Sequence, residues 1–334
     1  MLELSTSRID DYFICPQREH YGYREEGCGI VPIIEAPELM GGRLLHIGLE
    51  TYYNTYDFVK AWEAMGQAYT EQVDYIVANS STQIWDEDQQ RWRDTFDLMI
   101  GMLKHYFDYY KGERLEVVET EHEFSVDIKD PTGKAVAKFR GRIDLIVKEG
   151  KRYQLWDHKS ASQFGNMWEA QNHLNRQYRR YAWAWQEETG NEVDAFVING
   201  LRKKLPTIPK VLKKGGISKR KDIDTTLEIY LKAIRDNHLD PGDYAEILDI
   251  LDGKGNTFFQ RDTIYFNQDE IDEAGRELYS IYQRMTDDIP PIKAPSPLCT
   301  RMRSCPYRSL CIEDTPEARM NYRLKERELE ELKA

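Results

Sequence analysis

FRGRIDLIVKEGKRYQLWDHKS, residues 139 to 160, is the stretch whose reading decides the fold. Apolar and polar residues alternate on both sides of KEGK, a pattern that predicts two strands joined by a tight turn on Glu149 and Gly150. In that register Val147 stands opposite Arg152 and Asp144 opposite Leu155. Side chains alternate with period two, so Leu155, Asp157 and Lys159 share the face that carries Asp144. Asp157 then lies diagonally from Asp144, about 7–8 Å between Cα atoms. Two carboxylates at that separation can close on one Mg²⁺ or Mn²⁺, which polarises a phosphoryl group and acidifies a bound water. The Lys159 ammonium is placed to orient that water and to stabilise charge developing on phosphorus.

An exposed hairpin with solvated Asp and Lys carries the same letters, so its neighbours matter. Downstream, NHLNRQYRRYAWAW predicts a helix with Gln177 and Tyr181 one turn apart on one face. An amide and a phenol there can brace the hairpin and touch a nucleic acid strand. Upstream, GGRLLHIGLETYY predicts a helix on which His46 and Glu50 share a face, and His46 offers an imidazole nitrogen to the same metal.

The ordered set Gly42-x-x-x-His46, Glu121-x-x-Phe124, Gly141-Arg142-Ile143-Asp144, Asp157-x-Lys159 and Gln177-x-x-x-Tyr181 resembles the PD-(D/E)XK nuclease superfamily. Within it the chain is most similar to RecB-like nucleases, including the CRISPR-associated RecB-like exonucleases. The resemblance implies His46, Asp144 and Asp157 as ligands of Mg²⁺ or Mn²⁺, with the backbone carbonyl of His158 completing the shell. It implies Lys159 as the catalytic lysine, Gln177 and Tyr181 as the supporting motif, and Glu121 as an auxiliary acid. Glu119 and Glu123 share the strand parity of Glu121 and compete for that assignment.

Five cysteines give a second signal: Cys15, Cys28, Cys299, Cys305 and Cys311. Three of them fall in PLCTRMRSCPYRSLC, residues 297 to 311, a turn-rich ligand cradle, and no secretory signal is evident at the start of the chain. Metal ligation in a reducing, cytoplasmic compartment is therefore expected over disulfides. The iron-staple branch of RecB-like nucleases uses one N-terminal and three C-terminal cysteines. By that resemblance Cys15, Cys299, Cys305 and Cys311 hold a structural [4Fe–4S] cluster, and Cys28 is spare. Both C-terminal gaps hold five residues here, a departure from the usual C-x₂-C-x₅-C, so structural Zn²⁺ stands as the alternative.

At 334 residues the chain can bury a large core, and it contains no run long and apolar enough for a membrane span. Its net charge of −12 does not exclude a nucleic acid partner, because only the field along the strand's track matters. RKKLPTIPKVLKKGGISKRK, residues 202 to 221, holds nine Lys or Arg and no acid. Its prolines and Gly215-Gly216 predict a mobile excursion suited to phosphate contacts.

The expected fold class is α/β: a restriction-endonuclease-like core of a small mixed sheet flanked by helices, elaborated as one domain. The expected order is a helical region (1–115), the catalytic core (116–201), a basic arm with an accessory insertion (202–290), a cysteine-rich staple (291–314) and a charged C-terminal helix (315–334). The expected function is a metal-dependent DNA nuclease, an exonuclease by resemblance, serving recombination, repair or DNA processing. Single-stranded DNA is the first substrate, ahead of double-stranded, with a helicase or recombination protein as the expected companion. The contrasting reading is a non-catalytic iron–sulfur DNA-binding or adaptor module on a degenerate nuclease fold. It is disfavoured because His46, both aspartates and Lys159 are all present.

Overall fold

The computed structural model describes residues 1–34, 36–80, 83–286, 290–300 and 305–325. The chain opens with β1 (Leu2–Leu4), α1 (Thr6–Ile14), α2 (Pro16–Tyr23) and β2 (Ile30–Pro32), then the helices α3 (Pro37–Thr55), α4 (Phe58–Asn79) and α5 (Asp86–Tyr109). The central run follows: β3 (Glu116–Lys129), β4 (Ala135–Glu149), β5 (Arg152–Ala161), α6 (Asn166–Leu174), α7 (Arg176–Thr189) and β6 (Val193–Arg202). Last come α8 (Leu227–Asp236), α9 (Ala245–Lys254), β7 (Phe259–Ile264), α10 (Gln268–Met285), α11 (Arg308–Ile312), α12 (Pro316–Arg319) and β8 (Tyr322–Leu324).

One mixed sheet organises the molecule in the order β1-β4-β5-β6-β7, with β3 also paired to β4. β4 is antiparallel to β3 and β5, and β6 runs parallel to β5 after the α6–α7 crossover. Each sheet face buries its own apolar cluster. Leu155, Phe196 and Ile198 pack under α7 and α10 with Tyr178, Ala182 and Leu278, whereas Leu145, Trp156 and Val197 pack under α3–α5 with Leu49, Tyr53 and Met102. These expectations of strands and a mixed sheet between helices hold.

The hairpin register differs from expectation by two residues. Glu149 pairs with Arg152 and Leu145 with Trp156, so the turn is Gly150-Lys151, with Gly150 taking the positive φ. Continued one step, this register sets Asp144 against Asp157 itself. Parity is unchanged by a shift of two, so the facing of the side chains survives the correction.

Within the expected helical region, local sequence sets the breaks. The chain leaves the helical conformation at Cys15, whose backbone is extended because Pro16 follows and disfavours the helical region before it. Residues 27–40 hold β2 and the start of α3. α3 and α4 are divided by Tyr56, which is left-handed, and Asp57, whose carboxylate caps Val59 N and Lys60 N. Trp92 and Tyr106 are core residues, whereas Trp62 is exposed.

The accessory insertion shrinks. NTFFQRDTIYFN yields a single strand, β7, which pairs antiparallel with β6 as a sheet edge, and α10 packs on α7. Only the stretch from about 203 to 257 is an excursion, with a small core of its own around Ile217, Tyr230, Ile234 and Ile247. The charged C-terminal helix is corrected too. α12 ends at Arg319 and β8 pairs with β2, because Tyr322 seals the Tyr21–Tyr307–Leu310 cluster; residues 326–334 lie outside the described residues.

Candidate active site

Three strands and one helix deliver the site. Glu121 stands on β3, Asp144 on β4, Asp157 and Lys159 on β5, and His46 on α3. Glu121 has φ +50°, a left-handed conformation rare for a non-glycine residue inside a strand. The β3–β4 pairing runs Thr120 to Leu145 and His122 to Ile143, so Glu121 and Asp144 fall in the gap between. Opposite that gap the alternation of β4 slips, since Ile143 and Ile146 join the same core cluster. The local distortion turns Glu121 and Asp144 toward His46 instead of locking them in the ladder.

His46 Nδ1 lies 3.5 Å from Asp144 Oδ2 and 3.8 Å from Glu121 Oε1. One ligand atom from each of the three falls within 4.8 Å of the others, the one such group of His, Cys, Asp and Glu among the described residues. Arg142 Nη1 holds Glu121 Oε2 at 2.8 Å. Glu119 instead binds His122, and Glu123 takes the other arm of Arg142, which separates these neighbours from Glu121. Glu50, one turn beyond His46, has a raised pKa from its own burial and from the Glu121 charge.

Asp144 Oδ2 accepts the backbone N–H of His158 at 2.6 Å. Asp157 is 4 % exposed and takes Lys159 Nζ at 3.0 Å and Gln177 Nε2 at 3.4 Å on Oδ1. Its Oδ2 has no aligned hydrogen bond, although Lys159 Nζ is 2.9 Å away. Asn175 caps α7 and thereby sets where Gln177 reaches the sheet. Tyr181, one turn on, is buried edge-to-face against Phe124 beneath Gly141. It supports the strands and is hydrogen-bonded to the Gln177 side chain.

Burial opposes protonation of His46, but the Asp144 charge and hydrogen bonding to Asp144 and Glu121 outweigh it and lift the imidazole to about 10. A third of that side chain remains open to solvent, which tempers the attraction. Burial would raise Asp144, yet His46 holds it well below the usual carboxylate range. Burial pushes Asp157 up to about 6, a rise that Lys159 restrains and Asp144 reinforces. Burial alone would lower Lys159; Asp157 and Asp144 keep its ammonium charged. Burial drives His158 down to about 3 and Tyr181 up to about 12.

An imidazole nitrogen, the two clustered carboxylates of Glu121 and Asp144, and the buried Asp157 carboxylate, whose Oδ2 lacks an aligned hydrogen bond, are a donor set for a hard divalent cation. The same carboxylates that raise the His46 pKa would favour a bound cation. Sequence reasoning missed Arg142, though it sits inside the Gly-Arg-Ile-Asp motif, and it missed Asn199 and Arg261 behind the sheet.

The four cysteines expected to act together converge from both chain ends. Burial raises the pKa of Cys305 and of Cys311, and neighbouring thiols add to it, Cys311 and Cys15 for the first and Cys15 and Cys299 for the second. Ala294 N donates to Cys15 Sγ at 3.4 Å and Ser296 N to Cys299 Sγ at 3.5 Å. Cys28 faces the carbonyl of Gly29 instead. In the basic arm, Lys203 N bonds the carbonyl of Ala161, at the end of the strand that carries Lys159. Arg202 and Lys204 pair with Asp224, Arg220 with Asp222 and Lys221 with Glu246, while Lys210, Lys213 and Lys214 have no ion pair among the described residues. No helix of the described residues is long and apolar enough to cross a membrane.

A family model described as the PD-(D/E)XK nuclease superfamily matches residues 3–312. No curated protein matches. Among solved structures, a candidate exonuclease from Eubacterium rectale is similar at 10% identity, covering 90% of this chain and 88% of its own, with a TM-score of 0.43. The structure of SSO0001 is similar at 13% identity, covering 77% and 78%, with a TM-score of 0.28.

Proposed function

The chain belongs to the PD-(D/E)XK nuclease superfamily, and from that premise we propose that it is a metal-dependent deoxyribonuclease of the RecB-like kind, working as an exonuclease on single-stranded DNA. The observation that carries the reading is the convergence of His46, Glu121 and Asp144 within 4.8 Å, beside the Asp157–Lys159 pair.

His46, Asp144, Asp157 and the His158 carbonyl would hold Mg²⁺ or Mn²⁺, with Glu121 as auxiliary acid, and the ion would supply Lewis-acid polarisation of the phosphodiester and a more acidic water. The chain's own residues do the rest. His158 N fixes the rotamer of Asp144 by donating to Oδ2, the oxygen that also lies 3.5 Å from His46 Nδ1. Gln177 steadies Asp157 Oδ1, so that Oδ2 stays available. Lys159, about a third exposed, presents its ammonium to a phosphoryl oxygen and to the attacking water. Water adds to phosphorus as the sugar oxygen departs, and solvent protonates the leaving group. Lys210, Lys213 and Lys214 neutralise phosphates of the incoming strand without reading its bases.

Cys15, Cys299, Cys305 and Cys311 are proposed to carry a [4Fe–4S] cluster that staples the two ends of the chain. Two of these sulfurs already accept backbone N–H bonds, as cluster thiolates do. No three described thiol sulfurs lie within 4.8 Å of one another. A role in recombination, repair or CRISPR-type processing, with a helicase or recombination companion, follows from the family resemblance.

The test is cleavage of end-labelled single- and double-stranded DNA by anaerobically purified protein with Mg²⁺, Mn²⁺ or EDTA, beside Asp157→Ala. Stepwise shortening that requires metal and is lost in the variant supports the proposal. Absence of cleavage on linear or circular DNA and on RNA would favour the adaptor module instead.

A further inference from the structure

His158 lies between Asp157 and Lys159, and its side chain points to the opposite face of the sheet. There it heads a row across three strands: His158 pairs with Asn199 in the β5–β6 register, and Asn199 with Arg261 in the β6–β7 register. The imidazole stacks on Tyr53 at 5.6 Å between centroids and 7° between planes. Asn199 is wholly buried, with its Nδ2 3.0 Å from His158 Nδ1. Its Oδ1 receives Tyr106 Oη at 3.2 Å and Arg261 Nε at 3.3 Å. Two donors on the oxygen fix the amide's orientation, so the NH₂ donates to His158 and Nδ1 accepts. Arg261 is itself fixed, bidentate to Glu113 at 2.6 and 2.7 Å and stacked over Tyr110 and Trp156.

We infer that Asn199 and Arg261 are positioning residues for the metal centre: they lock the His158 ring, and through it the backbone that aims Asp157, Lys159 and the N–H held by Asp144. The inference rests on the proposed metal site. Loosening the His158 ring frees the peptide on each side, and a side chain that must meet an ion tolerates little rotation of its strand. The row thus acts on the centre from behind the sheet, through the His158 backbone and through the His158 ring, which meets the His46 imidazole edge-on at 6.1 Å between centroids.

The experiment measures Mn²⁺ affinity by electron paramagnetic resonance on the full chain, with thermal stability recorded beside it. Asn199→Leu and Arg261→Met are expected to bind Mn²⁺ about 10–100-fold more weakly, while Ile247→Ala, in the excursion's separate core, lowers the melting temperature and leaves Mn²⁺ affinity unchanged. Folded Asn199→Leu and Arg261→Met proteins that bind Mn²⁺ as the wild type does would overturn the inference and leave the nuclease proposal standing. A wild type that binds no Mn²⁺ would overturn both. Should the variants not fold, long-range ¹H–¹⁵N spectra of the wild type decide: the Nε2–H tautomer of His158 supports the lock, and an Nδ1–H tautomer refutes it.

Discussion

The backbone amide of His158 donates to Asp144 Oδ2 across the β4–β5 pair at 2.6 Å, joining one aspartate's strand to the peptide that follows the other. An asparagine at 144 can still accept that bond, so Asp144→Asn separates charge from geometry. We expect the fold and secondary structure to persist, Mn²⁺ binding to weaken by at least about 100-fold, and cleavage to vanish with it. Circular dichroism beside a Mn²⁺ titration checks this. Unchanged affinity would remove Asp144 from the metal site.

Protons and metal compete at His46. Its pKa in the metal-free protein, about 10, exceeds the ordinary 6.5. The charged ring therefore stabilises the fold fully below about pH 6.5, and that contribution fades as pH rises through 10. Metal binding must displace the proton, so Mn²⁺ affinity should climb with pH between 6.5 and 9, by up to about tenfold per unit for one proton released. Calorimetry in buffers of differing ionisation enthalpy counts the proton. Binding without proton release would contradict the His46 assignment.

Lys159 contacts Asp157 without being needed to hold an ion. Lys159→Met should leave Mn²⁺ affinity within a few-fold of wild type and lower single-turnover cleavage by about 10²–10³-fold, the loss typical of a removed transition-state donor. Metal affinity falling in step with cleavage would recast Lys159 as a scaffold for Asp157.

The site was legible in the sequence where chemistry is carried by residue type at short spacing. Asp144, Asp157 and Lys159 could be placed on one face because strand parity survives a two-residue error in the turn. Long-range relations were not legible. β7 joins β6 only through pairing that no local pattern encodes, so the sheet's edge looked like part of an insertion. Arg261 and Asn199 matter through that same pairing, and an isolated Asn or Arg in a strand announces nothing. Glu121 could not be told from Glu119 and Glu123 by parity, because a positive φ on the residue itself decides which of the three turns inward.

Gly141 of the Gly-Arg-Ile-Asp motif has a packing reason. A Cβ there would sit 2.5 Å from Phe124 Cζ and 3.0 Å from Tyr181 Oη, both in the core. Gly141→Ala should cost about 1–3 kcal/mol by overpacking, measurable by urea denaturation. Because α7 carries both Tyr181 and Gln177, the displaced helix should also draw Gln177 away from Asp157 and reduce cleavage. A stable, active Gly141→Ala protein would show that the rings yield freely.

The cysteines make the remaining prediction. Anaerobically purified protein should be brown, absorb near 400 nm and contain about four irons per chain. Cys15→Ser and Cys305→Ser should each lose colour and stability, because binding at the staple is part of the folding free energy. Cys28→Ser should keep both, since that thiol faces Gly29 O. Zinc in a colourless protein would replace the cluster with a mononuclear site. Colour lost in Cys28→Ser but kept in Cys15→Ser would mean that the chain's two ends are joined by packing alone, through Tyr21, Ile30 and Tyr307.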